Sequence, residues 1–127
     1  NEGKMVKPTL YKGETEVINP QIASKANIDS LQMALVKVVT EGLGKPAQSE
    51  KVQVAGVSGG SQISTDEDNS EGRVNTIYSV EYCGYFPAKN PKYSIIVSMN
   101  KVGLPASGNL MAGSVFKDLV NYIEATK

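Results

Sequence analysis

Residues 76–86 read Thr-Ile-Tyr-Ser-Val-Glu-Tyr-Cys-Gly-Tyr-Phe, and this run limits the chain more than any other. Tyr78, Val80, Tyr82, Gly84 and Phe86 fall on one face of an extended backbone, and Ser79, Glu81, Cys83 and Tyr85 on the other. A period of two with one apolar side describes a half-buried strand, which no helix reproduces. Pro87 and Asn90-Pro91 then turn the chain. Tyr93, Ile95, Val97 and Met99 repeat the alternation on the way back. The spacing predicts a long antiparallel hairpin, and its apolar face requires helices to cover it.

Two segments carry the pattern of such helices. In residues 27–41, Ile28, Leu31, Leu35 and Val38 recur at steps of three and four, widened by Ala34 and Val39 into one face. Asn27 is the expected cap, Asp29 favours the first turn, and Gly42 is the expected stop. Near the end, Val115, Phe116, Leu119, Val120 and Ile123 form a second stripe, with Asn109 as the expected cap and an end near Ala125. Residues 52–58 predict a further strand, after which Gly59-Gly60 permits a change of direction or a close backbone approach. Residues 62–73 hold no apolar anchor between Ile63 and Val74 and predict a mobile polar loop. The reading is one partial domain over residues 1–127. An extended lead-in over 1–26 precedes a helix, three strands and a C-terminal helix. The fold class is α+β, with an antiparallel sheet of at least three strands packed against amphipathic helices.

Composition removes several chemistries. The chain has no histidine and one cysteine. No Ser-His-Asp or Cys-His centre is therefore available, nor a zinc site built from histidines or a thiolate cluster. Cys83 reads as a buried small apolar residue in a strand. Thirteen basic and thirteen acidic residues cancel, and all the basic residues except Arg73 are scattered lysines, which excludes a nucleic-acid groove. Asp66, Glu67, Asp68 and Glu71 do not follow the spacing of a calcium loop, and no metal is expected. The run Gly56-Val57-Ser58-Gly59-Gly60-Ser61 lacks the lysine and the glycine order of nucleotide loops, so no cofactor is expected. No apolar window approaches the ~18 residues of a membrane span. Ser114-Val115-Phe116-Lys117 and Ser98-Met99-Asn100 match short serine motifs, but both recur by chance. Ser114 sits beside an apolar stripe with no implied pocket. The chain by itself is expected to be inactive in acyl transfer.

Five segments, in order, nevertheless carry a resemblance. Val54-Ala55-Gly56-Val57-Ser58-Gly59-Gly60-Ser61-Gln62 resembles the strand of penicillin-binding transpeptidases that bears Lys-Thr-Gly, often Ala-Gly-Lys-Thr-Gly-Thr-Ala-Gln. Val38-Val39-Thr40-Glu41-Gly42-Leu43-Gly44 resembles the helix end before it. Tyr85-Phe86-Pro87-Ala88-Lys89-Asn90-Pro91-Lys92-Tyr93 resembles the family's proline-bearing hairpin. Ala112-Gly113-Ser114-Val115-Phe116-Lys117 resembles the start of its C-terminal helix, and Val6-Lys7-Pro8-Thr9-Leu10 a segment that comes earlier in it.

The resemblance implies the C-terminal part of a peptidoglycan D,D-transpeptidase, as found in bacterial division and elongation proteins. It implies that the strand at residues 57–59 faces substrate and that the amide of Gly60 contributes to an oxyanion hole. The catalytic Ser-x-x-Lys and Ser-x-Asn of the family would lie upstream, in a longer parent chain. Only that parent would bind a stem peptide or a β-lactam. The expected setting is the periplasmic side of the bacterial inner membrane, with the anchor outside this segment. Division-complex proteins or self-association are the expected contacts. One position departs from the pattern: Val57 stands where the family has lysine, and valine has neither charge nor donor for a carboxylate. Ser58 keeps a hydroxyl in the threonine position, Gly59 is retained, and Gly60 replaces the next threonine. A non-catalytic scaffold or interaction module of the same fold is the alternative that Val57 favours.

Overall fold

The computed structural model describes residues 2–68 and 73–127. The chain forms two compact units, residues 1–34 and 35–127. In the first, β1 (Met5–Val6) pairs antiparallel with β2 (Val17–Asn19), and Lys7 bridges to Glu16 at 2.9 Å on the exposed side. Residues 8–11 of the extended lead-in form no strand. Thr9 instead ties its hydroxyl to the Tyr11 backbone at 3.1 Å in a local turn.

Helix α1 spans Lys25–Thr40, so it starts before Asn27. Ser24 acts as the cap, its Oγ accepting from the Asn27 amide at 3.3 Å. The earlier start places Asp29 one turn inside, where it pairs with Lys25 at 2.8 Å. The boundary between the two units falls within α1. The predicted stripe is buried only at its end: Val39 is buried, whereas Leu31 remains 57% exposed. Helical periodicity fixes which residues share a face, not whether anything lies against that face.

In the second unit, a short 3₁₀ turn at Lys45–Ala47 leads to the sheet. Strands β3 (Ala55–Asp68), β4 (Arg73–Phe86) and β5 (Tyr93–Val102) pair antiparallel in the order β3-β4-β5. A π turn at Gly108–Ala112 precedes α2, Gly113–Ala125. This is an α+β fold, an antiparallel sheet packed against helices. Where a loop is expected at 62–73, residues 62–68 belong to β3 and residue 73 begins β4. Both strands run into it, with backbone pairs from Ser64↔Ile77 to Asp68↔Arg73, and residues 69–72, with Glu71, lie outside the described residues. A ladder is made of main-chain hydrogen bonds and needs no apolar side chain, so polarity alone does not end a strand. The register slips once, between Gln62 and Ser64, where Ile63 is the extra residue of a bulge.

The hairpin of β4 and β5 keeps the faces its alternation predicts. Val80, Tyr82, Gly84 and Phe86 point into the core opposite Met99, Val97, Ile95 and Tyr93. Helix α2 covers this face with Phe116 and Val120, both fully buried. Phe116 meets Tyr82 with ring centroids 5.0 Å apart and Phe86 edge-on at 6.4 Å. The close approach depends on two glycines. A Cβ on Gly84 would lie 2.6 Å from the Phe116 ring, and one on Gly56 would lie 2.7 Å from the Tyr82 ring. Ser49, itself buried, ties the lead-in of β3 to α2 by donating to Asn121 Oδ1 at 2.7 Å.

The Tyr82 hydroxyl has no hydrogen-bond partner among the described residues, and burial pushes its pKa up to about 12, with Cys83 a lesser cause. The folded state thus holds this proton more tightly than the unfolded chain, whose tyrosines ionise near pH 10. Its contribution is whole below about pH 10 and is lost as pH rises through about 12. Tyr82→Phe is expected to remove that alkaline loss and to raise stability by about 1–3 kcal/mol at neutral pH, because it deletes an unsatisfied buried group while keeping the ring. Urea unfolding followed from pH 7 to pH 12 measures both. Gly84→Ala is expected to cost about 1–3 kcal/mol or more in the same assay, by forcing Phe116 off the sheet.

Candidate functional site

The segment around Gly59 takes its geometry from the pairing of β3 with β4. Val57 lies opposite Cys83, Ser58 opposite Tyr82, Gly59 opposite Glu81 and Gly60 opposite Val80. Directly paired residues share a face of the sheet. Ser58 therefore points toward the helix-covered side with Tyr82, and Val57 and Gly59 belong to the open side. Since β3 is an outer strand of its sheet, one row of its backbone groups faces away from β4. Three glycines among residues 56–60 leave that backbone uncovered by side chains, and Gly59 and Gly60 are both exposed.

On the open side, Val57 is 47% exposed and heads a cross-strand row with Cys83 and Ile96. The row is uncharged, and Cys83 within it is exposed, not buried as expected, because its side chain falls on the face that the helix does not cover. The next row carries Gly59, Glu81 and Ser98. Glu81 Oε1 accepts from Ser79 Oγ at 2.8 Å and from Ser98 Oγ at 3.4 Å, and a Cβ on Gly59 would lie 3.7 Å from Glu81 Oε2. This is a serine–carboxylate contact, but it does not make a nucleophile. Ser79 is buried, and a carboxylate is too weak a base to strip a serine hydroxyl unaided. Burial also raises the pKa of Tyr85, which lies on this side opposite Ala55.

The inner side of the same segment is closed by the π turn. A Cβ on Gly108 would lie 2.5 Å from the carbonyl oxygens of both Gly59 and Glu81, and 3.0 Å from Ser58 Cβ. Ser107 caps the turn, its Oγ accepting from the Leu110 amide at 3.3 Å, and so takes the role expected of Asn109. Ser114 spends its hydroxyl on the Leu110 carbonyl at 2.7 Å. Ser98 is engaged with Glu81 on the open face of β5. A groove of about 290 Å³, lined in part by Val39, Ser49 and Val54, ends where β3 begins.

Of the residues singled out from sequence, β3 brings Val57, Ser58, Gly59 and Gly60 together as consecutive strand positions. Glu81 and Gly108 were not among them. Glu81 becomes a neighbour of Gly59 only through strand register, and Gly108 only through tertiary contact, so local pattern holds no signal for either. What the arrangement offers chemically is an open outer strand with accessible amides, an uncharged wall at Val57 and one carboxylate behind Gly59.

The model of the penicillin binding protein transpeptidase domain matches residues 1–121. No curated protein matches the chain. Among solved structures, the transpeptidase domain of the FtsI4 D,D-transpeptidase from Legionella pneumophila is 30% identical, with a TM-score of 0.65 over 86% of this chain and 38% of its own. The transpeptidase domain of penicillin-binding protein 3 from Burkholderia pseudomallei shares the fold at a TM-score of 0.76 and 21% identity, over 98% of this chain and 38% of its own. The D,D-transpeptidase domain of a peptidoglycan glycosyltransferase from Eggerthella lenta does so at 0.68 and 17%, over 99% of this chain and 29% of its own. The chain thus spans well under half the length of these solved chains. The family model spans all but the last six of the 127 residues, and the chain belongs to the penicillin-binding protein transpeptidase domain family.

Proposed function

We propose that this chain is the C-terminal portion of a peptidoglycan D,D-transpeptidase domain, supplying the substrate-side strand and part of the oxyanion hole to a site whose nucleophile lies elsewhere in the longer protein. The observation that carries the reading is the placing of Gly59 and Gly60 on an exposed outer strand, paired with β4, within a chain matched by the family. In this reading Val57 and Ser58 line the strand, Ser58 and Gly59 occupy the positions of threonine and glycine, and the amide of Gly60 stabilises the developing oxyanion. Backbone donors held in place before reaction need no reorganisation as negative charge builds. The substrates are a stem peptide or a β-lactam, met on the periplasmic side of the bacterial cell envelope alongside division-complex proteins.

Val57 sets the efficiency. Without the lysine, the substrate carboxylate loses a charge-assisted hydrogen bond worth about 1.5–3 kcal/mol. A second reading, a scaffold of the same fold without catalysis, draws on the same residue, since the uncharged row of Val57, Cys83 and Ile96 suits an apolar contact better than an anion.

Fluorescent penicillin separates the two. The isolated 127-residue chain is expected to stay unlabelled. The longer protein is expected to acylate slowly, and Val57→Lys in it to raise the second-order rate by about 10- to 150-fold. No labelling of either longer protein would favour the scaffold. Labelling of the isolated chain at Ser114 would overturn the assignment of the nucleophile.

A further inference from the structure

We propose that Gly108 is a positioning residue: it is the seat on which the Ser58–Gly60 stretch of the outer strand rests, and it fixes the height of that backbone above the sheet. The inference rests on the transpeptidase reading for its consequence, not for its geometry. A strand normally holds its place through pairing along its edges and through the packing of its side chains. Here the second means is nearly absent, because Gly56, Gly59 and Gly60 have no side chains to pack and Val57 points to the open side. Pairing comes from β4 alone. The remaining constraint is contact with the backbone itself, and Gly108 provides it. Its Cα sits so close to the paired Gly59 and Glu81 that a Cβ would meet both carbonyl oxygens at 2.5 Å, beside Ser58 Cβ at 3.0 Å.

The seat is built, not incidental. Gly108 opens the π turn, and turns of this kind are unusual elements that often accompany functional sites. Its start is tied by Ser107, whose Oγ accepts from the Leu110 amide at 3.3 Å and whose carbonyl accepts from the Met111 amide at 3.0 Å. Its other end runs directly into α2, anchored by Phe116 in the core. Ser114 staples the join by donating to the Leu110 carbonyl at 2.7 Å. The position of α2 on the sheet is thereby coupled to the carbonyl of Gly59 through the close contact at Gly108. Small displacements of reacting groups are costly, about 100-fold for 1 Å, so a seat of this kind governs rate without touching substrate.

The test compares Gly108→Ala with Gly13→Ala, where an added Cβ meets nothing within 4 Å. In the 127-residue chain, backbone chemical shifts of residues 58–60 and of Glu81 are expected to move well beyond those of residues 95–99, and Gly13→Ala to leave both sets in place. If Gly108→Ala does not fold, Ser107→Ala, which frees the turn without adding atoms, is expected to move the same residues. Shifts spread evenly over 58–60 and 95–99 in these variants would overturn the seat. In the longer protein carrying Val57→Lys, Gly108→Ala is expected to slow acylation by fluorescent penicillin about tenfold or more, measured on folded protein well below its melting temperature. Localised shifts with unchanged acylation would uphold the seat and overturn the transpeptidase reading of the strand.

Discussion

The close fit between two aromatic rings and two glycines holds the second unit together. Phe116 lies against Gly84 on the central strand, and the Tyr82 ring lies over Gly56 on the outer one. Neither contact tolerates a methyl group, so the spacing of helix and sheet is set by backbone thickness and not by adaptable side chains. Protein interiors resist this kind of change because they are packed without slack. Because α2 carries Phe116 and the π turn runs into α2, the fit at Gly84 also decides where Gly108 meets β3. Core and candidate site share one mechanical frame.

The frame presents a surface of mixed character. Beside exposed amides it sets an uncharged row through Val57 and, one pair further, a carboxylate that two serines orient. In the role proposed for this strand, an anionic ligand along Gly59 would be held by backbone amides and opposed by Glu81. A lysine at position 57 would tip that balance toward binding, and valine leaves it unresolved by charge. Family membership establishes the scaffold on which this contest takes place. It does not settle the contest, because fold and site are separable.

Much of this architecture was legible in the chain. The alternation of residues 76–86 and 93–99 gave the right faces, since one side of β4 is buried and the matching side of β5 is partly buried against it, and the stripe around Phe116 and Val120 gave α2. Where the physics is carried by main chain, side-chain pattern was silent. Strand β3 continues through polar residues 62–68 because its pairing with β4 needs no apolar face. The caps were displaced by a few residues, to Ser24 and Ser107, since several hydroxyl and amide side chains suit that role and tertiary context picks one. In α1, periodicity described a face that is fully buried only at Val39, partly buried at Ile28, Leu35 and Val38, and exposed at Leu31. The candidate segment was legible only by resemblance to a motif, because Val-Ser-Gly-Gly has no chemistry of its own. Its neighbours Glu81 and Gly108 are products of folding.

The bulge at Ile63 divides the long hairpin of β3 and β4 into two parts with different obligations. Up to Gln62, each residue of β3 is in phase with the buried face of β4, and a slip of one position would turn Ser58 and Val57 over together. Past Ile63 the two strands pair in a new phase, from Ser64↔Ile77 outward. A residue gained or lost there alters only the pairs still farther from the core. The register of residues 55–62 is therefore set separately from that of the pairs beyond Ile63.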